Sequence, residues 1–158
     1  GDGYALVVGR ENDTRIAKWI KKEYLKLPDN FESYKVVVPK SNGSGHFGES
    51  LSSPFVAAPF HAQNTTFLSI GKFDSIFEAE ACLKYIKTKF VRCMLGILKV
   101  TQDNPKSVWS KVPLQNFTQQ SDINWDLSIP ELDAALYQKY NLTQDEIDFI
   151  ESNVSAMQ

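Results

Sequence analysis

The 158-residue chain is short of the residues that build reactive sites, with two cysteines and two histidines. Cys82 and Cys93 stand in what reads as one helix, roughly 16 Å apart along its axis, too far to bridge. They read as reduced core thiols, in keeping with a cytosolic setting. His46 and His61 both read as loop residues, without a cysteine pair or carboxylate at metal-ligand spacing, which argues against zinc. A GxSxG elbow, a Walker loop and a helix-opening GxGxxG are all missing. Asn42-Gly43-Ser44-Gly45 lacks the Lys-Ser ending and following helix pattern of a phosphate cradle, and its glycines suit a tight turn. No apolar run reaches the roughly 18–20 residues of a membrane span, and Gly1-Asp2-Gly3-Tyr4 is not the start of an export signal. The expectation is a soluble, cytoplasmic chain with no catalytic residue, cofactor or metal of its own. It opens without methionine almost on a strand, so it also reads as a piece of something longer.

What is present suits a globular domain: 42% hydrophobic, 12% aromatic and 23% charged residues. The formal charge of −2 hides a polarity, because residues 1–112 hold 16 Lys+Arg against 11 Asp+Glu while residues 113–158 hold one lysine against eight acids. Such asymmetry points to a polyanion partner for the basic part, or to a solvated tail without a message.

Apolar patterning predicts strands at Tyr4–Val8 and Thr14–Trp19, joined as a hairpin through Glu11-Asn12-Asp13, and at Tyr34–Val38, Phe55–Phe60 and Thr66–Phe73. The Phe55–Phe60 segment, bounded by prolines, suits an edge. Lys21–Lys26 suits a short helix. Ile76, Ala79, Leu83, Ile86, Phe90, Cys93 and Ile97 step by three and four, which predicts one amphipathic helix over about 75–99, capped by Asp74 or Ser75. Its cations Lys84, Lys87, Lys89 and Arg92 fall on the polar face, either solvated or against nucleic acid. Val108–Leu114 reads as extended or turn-like. Ser128-Ile129-Pro130-Glu131 and the capping box Thr143-Gln144-Asp145-Glu146 start two further helices. Strands first and helices later predict an α+β fold, a small mixed or antiparallel sheet packed on a long amphipathic helix and followed by C-terminal helices. Residues 1–125 form the main domain and 126–158 a helical extension, as one structural unit.

The stretch Tyr34 to Glu49 runs an apolar strand into a lysine and a polar, glycine-rich turn. Lysines and arginines to neutralise phosphates, with Asn, Ser and His on adjustable loops to read base edges, are what DNA recognition requires. The candidate DNA-binding residues are Lys40, Asn42, Ser44, His46, Arg15, Lys22, Lys106 and Lys111, with Lys35 and Gln102 nearby in the basic part. Trp109 and Trp125 read as core or lid residues.

The series YKVVVPKSNGSGHFGESLSSP, FLSIGKFDSIFEAEACLKYIKTKFVRCMLGILKVTQDNP, WSKVPLQNFTQQSDINW and IPELDAALYQKYNLTQDEIDFIE resembles the C-terminal target-recognition region of type IIG restriction-modification proteins. In these an N6-adenine methyltransferase and usually an endonuclease share one polypeptide. The resemblance spans roughly residues 34–151. It implies a non-catalytic module that recognises a double-stranded DNA sequence for bacterial defence, with the methyltransferase and nuclease domains of the same parent chain as partners. S-adenosylmethionine and Mg would be cofactors of the parent. The alternative is a structural module bracing those two domains.

Overall fold

The strands begin with a hairpin whose turn dictates its register. β1 (Tyr4–Glu11) and β2 (Thr14–Lys21) pair antiparallel from Tyr4↔Lys21 to Glu11↔Thr14. Asn12 and Asp13 between them both take positive φ, 48° and 59°, the two-residue turn whose twist matches paired strands. The computed structural model describes residues 2–41, 45–99 and 103–158. β3 (Tyr34–Pro39) pairs antiparallel with β4 (Phe55–Ala57) and β6 (Phe67–Phe73), while β5 (His61–Gln63) runs parallel to β1. The result is two three-stranded sheets, β2-β1-β5 and β4-β3-β6. β4 is an edge strand as its prolines suggest, and only a 3-10 turn, Lys22–Tyr24, forms where a short helix was expected. His61 opens β5 rather than lying in a loop.

β3 is buried on both faces. Val36 and Val38 join the main core with the helices, whereas Val37 packs with Val8, Ala57 and Phe67 between the sheets. The second sheet is therefore the middle layer, helices on one side and the hairpin sheet on the other. The fold is α+β with C-terminal helices. Leu132, Leu136, Tyr137 and Ile150 of the last two helices, with Val154 just beyond them, share one core cluster with Val36 and Val38.

The long helix divides. α1 (Ile76–Lys87) and α2 (Lys89–Leu98) meet at Thr88, whose φ of −60° and ψ of 150° are extended. Its hydroxyl accepts from Val91 N at 3.3 Å, while the buried carboxylate of Asp133 accepts from Lys89 N (3.0 Å) and Phe90 N (2.9 Å). The first amides of α2 thus find acceptors, and the break costs no unpaired donors. Breaking the helix resets its phase. Ala79, Ile86, Phe90 and Cys93 stay buried, but Ile76 and Ile97 are exposed, and Arg92, placed on the polar face by one continuous wheel, is buried instead.

α3 (Lys106–Trp109) takes the first two residues of the segment expected to be extended or turn-like, and residues 110–114 follow as turn and irregular chain. α4 (Ile129–Lys139) and α5 (Gln144–Asn153) begin with reciprocal capping boxes, Ser128 with Glu131 and Thr143 with Glu146. Ser75 and Glu78 do the same for α1.

Candidate nucleic-acid interface

The cations of the 75–99 region belong to the fold. Lys84 donates to the carbonyls of Trp125 and Leu127 at 2.9 and 3.1 Å, Lys87 to that of Gln158 at 3.0 Å, and Lys89 to the Glu151 carboxylate at 2.5 Å. Arg92 donates to the carbonyls of Lys87 and Ser155. They tie α1 and α2 to the C-terminal segments, so this is neither a solvated face nor one open to phosphate. Lys35 is also removed from the surface. It is fully buried, and its ammonium donates to the carbonyls of Asn30, Phe31, Ser33 and Ala58 at 3.0–3.4 Å. Burial lowers its pKa to about 8.

The candidates scatter. Arg15 lays its guanidinium over the rings of Phe55 (4.7 Å) and Phe67 (5.5 Å) and donates to Ser53 O at 2.9 Å. Lys22 sits over Phe31 and Phe60, 5.5 and 5.4 Å from the ring centres. His46 and Lys111 are exposed. Asn42 and Ser44, and also Gln102, lie outside the described residues. Trp125 is buried and its indole donates to Asn116 O at 2.8 Å, whereas Trp109 is only partly buried.

Lys40 and Lys106, 66 positions apart in sequence, come together. The chain after β3 forms an isolated antiparallel bridge, Ser41↔Asp103, reinforced by the Ser41 hydroxyl donating to the Asp103 carboxylate and by Asn104 N donating to Lys40 O at 2.7 Å. Both lysines then line an open groove of about 720 Å³ along β6, an edge strand. Lys26 and Lys72 line it too, against a single acid, Asp29. Sequence reading missed these two lysines, because neither stands in a motif or beside another candidate.

Among the described residues the ammonium groups of five lysines have no hydrogen-bond, ion-pair or ring partner: Lys26, Lys40, Lys72, Lys106 and Lys111. Four of the five line this groove. Its floor carries amide groups as well. Asn30 donates to Ser69 Oγ (3.1 Å) and Gly71 O (2.8 Å), but its own oxygen and that of Gln63 are buried without a partner.

Among the described residues no three His, Cys, Asp or Glu side chains are placed to hold a metal ion, and no helix is long and apolar enough to cross a membrane. The thiols of Cys82 and Cys93 are free and buried, and burial pushes Cys82 up to about 12, which leaves it inert as a nucleophile. Comparison with protein-family models, with curated proteins and with solved structures returned no match.

Proposed function

We propose that this chain is a sequence-recognising, double-stranded DNA-binding module of a bacterial type II restriction-modification protein, non-catalytic in itself and working in the cytoplasm. The observation that carries the proposal is the convergence of four unpartnered lysines on one groove. Elsewhere, Lys111 apart, the chain matches its lysines to carbonyls, carboxylates or rings. Ammonium groups left together in one concavity create a positive potential suited to a phosphate backbone. Asn30, Ser69 and Gln63 beside them are of the types that read base edges. The turn Tyr34 to Glu49 enters this groove through Lys40, and Asn42, Ser44 and His46 follow it in the chain.

Methyl transfer and cleavage belong in this reading to other domains of the parent chain, with S-adenosylmethionine and Mg bound there. The residues here do not fit that cofactor: the turn from β6 into α1 runs Phe73-Asp74-Ser75-Ile76, with no glycine to admit a nucleotide against the backbone.

The test is binding to random-sequence duplex across a salt series. Log affinity should fall linearly with log salt, with a slope near −0.9 for each phosphate neutralised. An affinity flat from low to high salt would sink the proposal. A bracing module is the second reading, favoured by an apolar hollow of about 370 Å³ where Met94 and Ile97 of α2 face Leu142 and Phe149. Ile97→Glu with Phe149→Glu should leave the salt slope of DNA binding unchanged. In the parent, the same pair should uncouple the catalytic domains only if bracing is the main role.

A further inference from the structure

The geometry points to a second, separate anion site beside the turn of the first hairpin, where Arg10 and Arg15 together clamp one phosphate of a nucleic-acid strand. The inference rests on reading the lysine groove as a phosphate-binding surface.

The chain has three arginines. Arg92 is buried and bound to carbonyls, whereas the other two face each other. β1 and β2 pair Arg10 directly with Arg15, and residues directly opposite in an antiparallel pair hold their Cβ atoms roughly 4.5–5.5 Å apart, where like charges are unfavourable. Among the described residues neither arginine has an ion pair. Their neighbour Glu11 is held instead by Lys18, at 3.1 Å. An anion placed between the two guanidinium groups turns their repulsion into a pair of attractions.

Both arginines line an open cleft of about 260 Å³, with Asp13, Ser52, Ser53 and Phe67. Two cations there stand against one acid. Arg15 is positioned in advance by the rings of Phe55 and Phe67 and by Ser53 O, and Arg10 by Asp13 O at 3.1 Å. Each carbonyl takes one of the several N–H groups that a guanidinium carries, so both side chains keep donors for a ligand. A phosphodiester offers two charged oxygens, one for each guanidinium, and serine hydroxyls are common phosphate donors. The cleft adjoins the lysine groove, since Phe67 lines both. A strand lying along the groove is thereby led to the arginines. Lysines hold a backbone as point charges, whereas the planar fork of arginine fixes a phosphate in one orientation. The clamp would set the register of the duplex on the groove.

The test follows binding to a random-sequence duplex of about 20 base pairs across a salt series. It uses the wild type, Arg10→Ala, Arg15→Met, which keeps an apolar stem over the two rings, and the double variant. Each single variant should bind roughly tenfold more weakly at low salt, the order of one charge-assisted bond. Its salt slope should hardly change, because the remaining guanidinium still neutralises the phosphate. The double variant should lose about 0.9 from the slope, the share of one phosphate. A loss of about 1.8 puts the arginines on separate phosphates, and the full loss in one single variant gives the phosphate to that arginine alone. An unchanged slope in the double variant removes the phosphate, and with altered sequence preference it makes the arginines base readers. Each of these results overturns the clamp and leaves the groove standing. So does Arg10→Ala at full wild-type affinity, a variant that needs no allowance for folding because Arg10 is exposed. A wild type that binds no duplex overturns the groove reading, and inorganic phosphate followed by phosphorus NMR then decides the cleft. A signal shifted by the wild type but not by the double variant keeps the anion site, with free phosphate as its source; one shifted by both, or by neither, overturns it.

Discussion

Lys35 shows what a single residue can hold together. Its ammonium reaches carbonyls from Asn30, Phe31 and Ser33 on one side and Ala58 on the other, tying the loop before β3 to the chain after β4. Lys35→Met should destabilise the fold by about 1–3 kcal/mol, the scale of charge-assisted bonds left unmade; an unchanged denaturation midpoint would contradict this. The pH dependence has a definite sign. Below about pH 8 the amine is protonated in both states and its contribution is constant. From about 8 towards the ordinary 10.5, the unfolded chain keeps a proton that the folded chain releases, so stability rises with pH. Buried Cys82 and Tyr85, both pushed up by burial, act in the opposite direction from about pH 9. The quantity to measure is therefore wild type minus Lys35→Met, which should grow by about 1 kcal/mol between pH 8 and 9. Gly48 is a second residue with one role. Its φ is +74°, and an added Cβ would stand 2.0 Å from the carbonyl oxygen of Asn153 at the end of α5. Gly48→Ala should cost at least about 2 kcal/mol, from left-handed strain and backbone clash together, read as a lower melting temperature.

Among the elements, those written in local chemistry were legible from sequence. Adjacent residues tolerant of positive φ specify the hairpin turn, and Ser75-Glu78, Ser128-Glu131 and Thr143-Glu146 each specify a helix start within four residues. The division at Thr88 was not legible, because the acceptor that makes it favourable, Asp133, lies more than 40 residues away on α4. With that carboxylate absent from view, the apolar spacing through residue 97 is indistinguishable from one helix. β5 was missed for a similar reason: three residues carry no period, and their order comes from parallel pairing with β1. Asp133 is correspondingly open to test. Asp133→Ala leaves two amides, one buried and one part-buried, without acceptors and should cost about 2–4 kcal/mol, seen in thermal melting. Asp133→Asn, which keeps one accepting oxygen, should recover part of the loss.

Across the whole molecule, charge polarity has two origins that sequence cannot separate. The acidic tail is mainly structural: Glu131 and Glu146 cap helices, Asp133 caps α2, and Glu151 holds Lys89 and the Tyr137 hydroxyl. The basic part divides into cations consumed by the fold and cations left over. Spacing along the chain could not sort them. Lys84 and Lys106 look alike in sequence, yet one binds two carbonyls and the other stands in the groove. Among the described candidate DNA-binding residues only Lys40 and Lys106 line that groove, and the bridge that joins them spans 62 positions. Crossed substitutions separate the two classes. Lys40→Ala and Lys106→Ala should each reduce the salt slope of duplex binding by about one, weaken binding evenly across sequences, and leave the melting temperature nearly unchanged, since both are exposed. Lys84→Ala should do the reverse, removing about 1 kcal/mol of stability with the slope intact. If Lys84→Ala lowered the slope as much as Lys106→Ala, the helical face would belong to the DNA footprint and the groove would not be the main phosphate-binding surface.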